Sequence, residues 1–245
     1  MSLRMTIATG VRVLTQLWHD LRTIGLLVLV PVLLEALVKW VYADQDRVFQ
    51  RVGVPLLGIF PLTSMFLVTS VTMLRERTSG TLERLLTTPI AKFDLLAGYG
   101  LAFGTIAILQ GVVVSIVSFG FLGLEVEGPI AGVVALAVLN AILGTALGLL
   151  VSAFARSEFQ AVQFMPAFLL PQFLLSGLLA PRDQMAGALE ALSNVLPMTY
   201  AYDALTRVAA GDGFGGRLAL DTGVLAGTTV LSLALGAATL RRRTP

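Results

Sequence analysis

The chain has 245 residues, of which 56% are hydrophobic and 13% charged, with a net charge of +2 and no cysteine. A soluble domain normally carries about 25% charged residues, so this sequence lacks the polar surface that a soluble fold of its size needs, and its mean hydropathy of +0.85 points the same way. Disulfide and thiolate chemistry are excluded, and the Lys and Arg residues flank apolar stretches, a pattern of membrane topology rather than of nucleic-acid contact.

Residues 5–22 read as a helix lying on a membrane surface. Ile7, Val11, Leu14, Trp18 and Leu21 recur at three- and four-residue steps and form one apolar stripe, with Arg12, Gln16, His19 and Asp20 away from it. A Trp and basic residues on such a helix suit the headgroup boundary. Arg4, Arg12, His19, Asp20 and Arg22 precede the first long apolar run, and Glu35, Lys39 and Trp40 stand where a small-residue cleavage site would fall. The first span is therefore expected to be retained rather than removed as a signal peptide.

A spanning helix needs about 20 mostly apolar residues. Six stretches qualify: 23–43, 52–74, 93–122, 129–153, 159–179 and 218–240. The fold class is thus an all-α integral membrane protein, expected to form a single domain over 1–245. With the N-terminus inside, Arg4, Arg12, Arg22, Arg75, Arg77, Arg84, Lys92, Arg156 and Arg241–Arg243 fall on the inner side, against Arg47, Arg51, Arg182, Arg207 and Arg217 on the outer, which also holds the acids Asp44, Asp46, Glu125, Glu127, Asp183, Glu190, Asp203, Asp212 and Asp221. This asymmetry places both termini in the cytoplasm.

Glu35 and Lys39 stand four residues apart near the outer end of the first span. An intramembrane charge costs about 2.5–3.5 kcal/mol on insertion scales, and an ion pair at this spacing would offset part of that. Small residues at four-residue steps, Gly100/Gly104, Gly128/Gly132, Gly144/Gly148 and Gly223/Gly227, allow helices to approach closely.

The loop 75–92 between spans two and three is the most informative segment. Ser79 or Gly80 can cap a short helix in which Glu83 sits near the N-terminus, where the macrodipole favours a negative charge. Leu82, Leu85 and Leu86 share one face, and Pro89 stops the helix. A bare solvated connection has no need of a leucine face, so a docking role is expected. Residues 182–213 are too polar to span and too apolar for a free loop. Met185, Leu189, Leu192 and Leu196 form one stripe, Pro197 breaks it, and Tyr202, Leu205 and Ala209 begin another that ends at Gly211. Two short helices dipping into the outer leaflet fit this pattern.

The loop resembles the signature Glu-Arg-x-x-Gly-Thr-Leu-Glu-x-Leu-Leu-x-Thr-Pro of type-2 ABC-transporter permeases. It matches at Glu76, Arg77, Gly80, Thr81, Leu82, Glu83, Leu85, Leu86, Thr88 and Pro89. A second match is the run from Gln172 to Pro181, continuing through Leu192–Leu205; Ala186 stands where the family often has proline after Met185. The resemblance covers nearly the whole chain and is closest to the daunorubicin-resistance branch of bacterial efflux permeases.

The sequence carries no phosphate-binding loop and no Ser-Gly-Gly-Gln run. The chain itself is therefore expected to hold no cofactor and no metal, and not to be an enzyme. The resemblance implies a separate ATPase subunit carrying ATP and Mg, and a second permease, identical or paralogous. It also implies a bacterial inner-membrane location and a hydrophobic or amphiphilic small-molecule cargo. By the same resemblance Glu76, Arg77, Ser79, Gly80, Thr81, Leu82, Glu83, Arg84 and Leu86 form the coupling contact with the ATPase. Spans two and five line a cavity between protomers, so Phe60, Thr63, Phe66, Gln163, Phe164, Phe168, Gln172 and Phe173 are the candidate substrate path, on a span kinked at Pro166 and Pro171. The competing readings are an ion-coupled secondary transporter, for which only Glu35 offers a charge at depth, a membrane enzyme, and an assembly partner without transport.

Overall fold

A computed structural model describes residues 2–86, 90–213 and 215–239, and every regular element among them is helical. Helix α1 covers Leu3–His19, α2 Leu21–Val41, α3 Asp46–Thr78, α4 Thr81–Leu86, α5 Lys92–Gly120 and α6 Ile130–Val151. Then come α7 Glu158–Leu175, a 3-10 turn Arg182–Gln184, α8 Gly187–Ser193, α9 Pro197–Ala209 and α10 Gly216–Thr239. Five of these, α2, α3, α5, α6 and α10, are long and apolar enough to cross a membrane. Helix α7 falls short because Glu158, Gln160, Gln163 and Gln172 dilute its apolar residues within 18 positions.

The long helices run alternately up and down, which polar contacts at the two ends make plain. At one end the Arg75 guanidinium, near the end of α3, donates twice to Glu158 at the start of α7, at 2.7 and 2.9 Å. There too the Ser2 amide donates to Asp94 at the start of α5 (2.9 Å). At the other end Gln50, early in α3, donates to the Gly123 carbonyl (2.9 Å) and accepts from the Glu125 amide (2.7 Å). The Ala209 carbonyl, closing α9, accepts from the amides of Glu127 and Gly128 (2.9 and 3.1 Å). Helix α3 has 33 residues, about 50 Å, so it outruns the apolar stretch read from sequence and extends past it at both ends.

Close packing rests on glycine. Gly144 and Gly148 of α6 lie so near the Leu62 and Phe66 carbonyls of α3 that a methyl group at either position would overlap them. Apolar burial contributes little between helices already in lipid, so such van der Waals contact carries the association. Gly128 approaches the Val208 carbonyl of α9 in the same way and Gly132 the Val208 side chain, whereas Gly104, Gly223 and Gly227 face open space and Gly100 makes only an ordinary contact with Leu233. The sequence pattern missed Gly98, which seats Thr6 and Thr9 of α1, Gly111 against Val138, and Gly58 against Asn140.

Two features of α2 depend on its partners. Pro31 lies inside the helix and has no amide hydrogen to offer the Leu27 carbonyl four residues back; Gln110 of α5 donates to that carbonyl and also to the Ser64 hydroxyl of α3. The expected Glu35–Lys39 ion pair does not form. Lys39 reaches Asp46 instead, at 2.7 Å, and lies over the Phe49 ring. Glu35 turns inward on the face of Leu27 and Pro31, is fully buried against Gly53, and neither carboxylate oxygen has a hydrogen-bond partner. A lysine stem can extend along the helix toward the water boundary, and a glutamate one turn nearer the middle cannot follow it.

Candidate functional site

The loop between α3 and α5 is set by one backbone conformation. Gly80 has φ +75°, in the left-handed region that glycine adopts without cost. The Ser79 amide donates to the Arg75 carbonyl (2.9 Å), ending α3, and the Gly80 carbonyl accepts from the Arg84 amide (3.1 Å), opening α4. Ser79 therefore closes the preceding helix, with its hydroxyl 3.0 Å from that of Thr81, and Gly80 alone turns the chain from one helix to the next. Arg84 is exposed and Thr81 half-buried. Leu85 packs against the cluster built around Val13, Leu95 and Tyr99. The side chains of Leu82, Glu83 and Leu86, and residues 87–89 with the expected stop at Pro89, lie outside the described residues.

Glu76 and Arg77 are half-buried rather than fully exposed. Glu76 stands beside the Tyr99 phenol, which accepts a hydrogen bond from Arg12 of α1 at 2.7 Å. The end of α3, helix α1 and the start of α5 thus meet through one polar knot. Helix α1 itself has two faces. Thr6, Thr9, Gly10, Val13 and Leu17 pack inward, while Leu3, Ile7, Val11 and Trp18 stay exposed, Trp18 at 58%. Of the apolar stripe read from the sequence, Ile7, Val11 and Trp18 lie on this exposed face, but Leu14 turns in against the core and Leu21 belongs to α2, because the chain bends at Asp20. Asp20, between α1 and α2, caps α2: it accepts from the Thr23 hydroxyl at 2.6 Å and from the Thr23 amide at 3.2 Å. Those bonds, the hydroxyl's first, hold its carboxyl below the usual aspartate range. Between the α1–α2 corner and the α3–α4 corner lies a cleft of about 330 Å³ lined by Gln16, Asp20, Thr72, Arg75, Glu76 and Ser79.

The candidate path residues divide into two groups. Phe66 of α3 is fully buried and its ring stacks on Phe168 of α7, with centroids 6.0 Å apart and planes 10° apart. Gln172 is buried and donates to the Phe168 carbonyl (3.1 Å), and Thr63 donates to the Ile59 carbonyl (2.8 Å). Phe60, Phe164 and Phe173 are half-buried. Gln163 is exposed, on a face of α7 that also presents Pro166, Ala167, Leu170, Pro171 and Leu174. Sequence spacing did not reveal Arg75–Glu158, Arg12–Tyr99 or Ser2–Asp94, since each pair is more than 80 residues apart and only the packing of α7 on α3 and of α1 on α5 brings it together.

Residues 6–209, from α1 to the end of α9, match the family described as ABC-2 type transporter. The chain belongs to that family. Among similar proteins are ABC transporter G family member 20 of Dictyostelium discoideum, 29% identical over 138 residues, and the Escherichia coli (strain K12) protein named "Probable multidrug ABC transporter permease YbhS", 29% identical over 135 residues. A third is the linearmycin resistance permease protein LnrN of Bacillus subtilis (strain 168), 27% identical over 139 residues. The matched stretches cover 56%, 55% and 57% of this chain, and 19%, 36% and 36% of those proteins, so the chain spans well under half the length of these relatives. As an ABC-2 transporter the chain is a multi-pass membrane protein, and the Gly80 corner, the α1 platform and the α3–α7 face all lie within the matched region.

Proposed function

We propose that this chain is the permease subunit of an ATP-driven exporter that moves an amphiphilic or hydrophobic small molecule out of the cell, energised by a separate ATPase subunit. The observation that carries this reading is the Gly80 corner. A short helix is held by one left-handed residue at the end of a helix about 50 Å long, and is tied through Leu85 to the α1–α5 core. A push on α4 is thereby delivered to both α3 and α5. Coupling requires contacts that differ between two states; Thr81 and Arg84, with Leu82, Glu83 and Leu86, would supply them against a cleft of the ATPase.

In this reading α7 is the sixth span, bent at Pro166 and Pro171, and both termini are cytoplasmic in a bacterial inner membrane. Helix α1 lies in the headgroup layer on its Ile7–Val11–Trp18 stripe, and α8 and α9 dip into the outer leaflet. A second permease faces the Gln163–Leu174 surface of α7, where apolar walls with a few amides suit an amphiphilic guest. The relatives' names support drug or antibiotic cargo.

The test is co-purification with a nucleotide-hydrolysing subunit, followed by transport in vesicles. ATP-dependent export that survives collapse of the proton gradient supports the reading, and export that follows the gradient with ATP absent overturns it. The second outcome would favour an ion-coupled secondary transporter, whose one supporting observation is the unpartnered, fully buried carboxyl of Glu35.

A further inference from the structure

We infer that the groove between α2 and α5 is a binding site for one acyl chain of an anionic phospholipid, with Arg22 holding the headgroup phosphate. The groove is a shallow, open depression of about 760 Å³ between Leu21, Gly25, Leu29 and Val32 on one side and Val113 and Val117 on the other. Its lining is almost wholly apolar, and nothing among the described residues covers the outer rim, where Leu21 is 72% and Leu26 62% exposed. From Leu21 to Val32 the wall runs eleven residues, about 16 Å at the helical rise, which takes most of one extended fatty-acyl chain. Gly25 makes room: a side chain there would meet no protein atom within 4 Å, so the space above it is held open by the absence of a Cβ.

The groove is built rather than incidental. Its two walls are tied to each other by the Gln110 amide on the Leu27 carbonyl, one turn from Val113 and two from Val117. Charge chooses the occupant. Arg22, near the start of α2, lines one end of the groove and is exposed; its guanidinium has no carboxylate within 4 Å among the described residues, although its amide and its charge both act on the neighbouring Asp20. The adjacent carboxylate, Asp20, is engaged by both donors of Thr23. A guanidinium at the mouth of an apolar slot matches a phosphate joined to a hydrocarbon chain. A second copy of this chain would bring another apolar wall and leave Arg22 without an anion.

The experiment reconstitutes the full chain in phosphatidylcholine nanodiscs doped with phosphatidylglycerol carrying a photoreactive acyl chain, and maps adducts by peptide mass spectrometry. Adducts are expected on 21–32 and 113–117, with about a fivefold preference over a phosphatidylcholine probe, the worth of one basic residue at a membrane surface. Gly25→Leu, which fills the slot from a position free of protein contacts, should abolish those adducts. Arg22→Gln should keep them and lose the headgroup preference. Adducts unaltered by Gly25→Leu, equal labelling by both probes in the wild type, or cross-links joining two protein chains at these residues would overturn the assignment.

Discussion

The side-chain amide of Gln110 donates to the Leu27 carbonyl, the acceptor that Pro31 leaves without its helical partner. A proline in a membrane span is tolerable when a neighbouring helix re-satisfies the freed group, and here the same amide also holds Ser64. Gln110→Leu should therefore cost roughly 1–2 kcal/mol of stability in detergent, within the range for interhelical bonds in membranes. Adding Pro31→Ala restores the intrahelical donor and should recover part of that loss. A double-mutant cycle of denaturation midpoints checks this; equal losses in the two backgrounds would show that Leu27 is not what Gln110 serves.

Gly144 and Gly227 look alike in sequence, each being half of a four-residue glycine pair, yet only the first touches another backbone. Gly144→Val should disrupt α3–α6 packing by more than the roughly 1–3 kcal/mol of ordinary overpacking, since carbonyl backbone rather than a side-chain tip must move. Gly227→Ala should stay within about 0.5 kcal/mol. Yield of monodisperse protein and thermal midpoint in detergent distinguish them.

Gly80 joins α3 to α4 at φ +75°, a value proline cannot take because its ring fixes φ near −65°. Gly80→Pro should leave the long helices inserted and redirect α4. With the ATPase bound, hydrolysis is expected to persist while vesicle transport falls at least about tenfold, the result of roughly 1.4 kcal/mol lost from coupling. Glu83→Lys, within the same helix, should uncouple likewise by reversing a charge at the contact. Full export by both variants would remove the coupling role.

Gln163 and Phe66 were both candidate path residues, but the first is exposed on α7 and the second is sealed against Phe168. Phe66→Ala should lower stability by about 3–5 kcal/mol through the cavity it leaves. Gln163→Leu should leave the thermal midpoint unchanged and alter cargo-stimulated ATP hydrolysis. If Gln163→Leu changes neither transport nor hydrolysis, the α7 face is not the cargo path.

Sequence alone settled the solvent, because 13% charged residues cannot clothe a soluble fold. It located the spans α2, α3, α5, α6 and α10, since hydropathy over about 20 residues is a property of composition, and it read the corner near Gly80, where local backbone chemistry decides; Pro197, expected to break a Met185–Leu196 helix, instead opens α9, and α8 has already ended at Ser193. It stopped where a residue's role depends on a partner distant in the chain. Lys39 pairs with Asp46 rather than with Glu35, Gln110 completes a helix 83 residues away, and Gly98 rather than Gly104 receives another helix. Helix periodicity gives each residue an angle about its own axis, and only the tertiary arrangement of the helices says what stands at that angle.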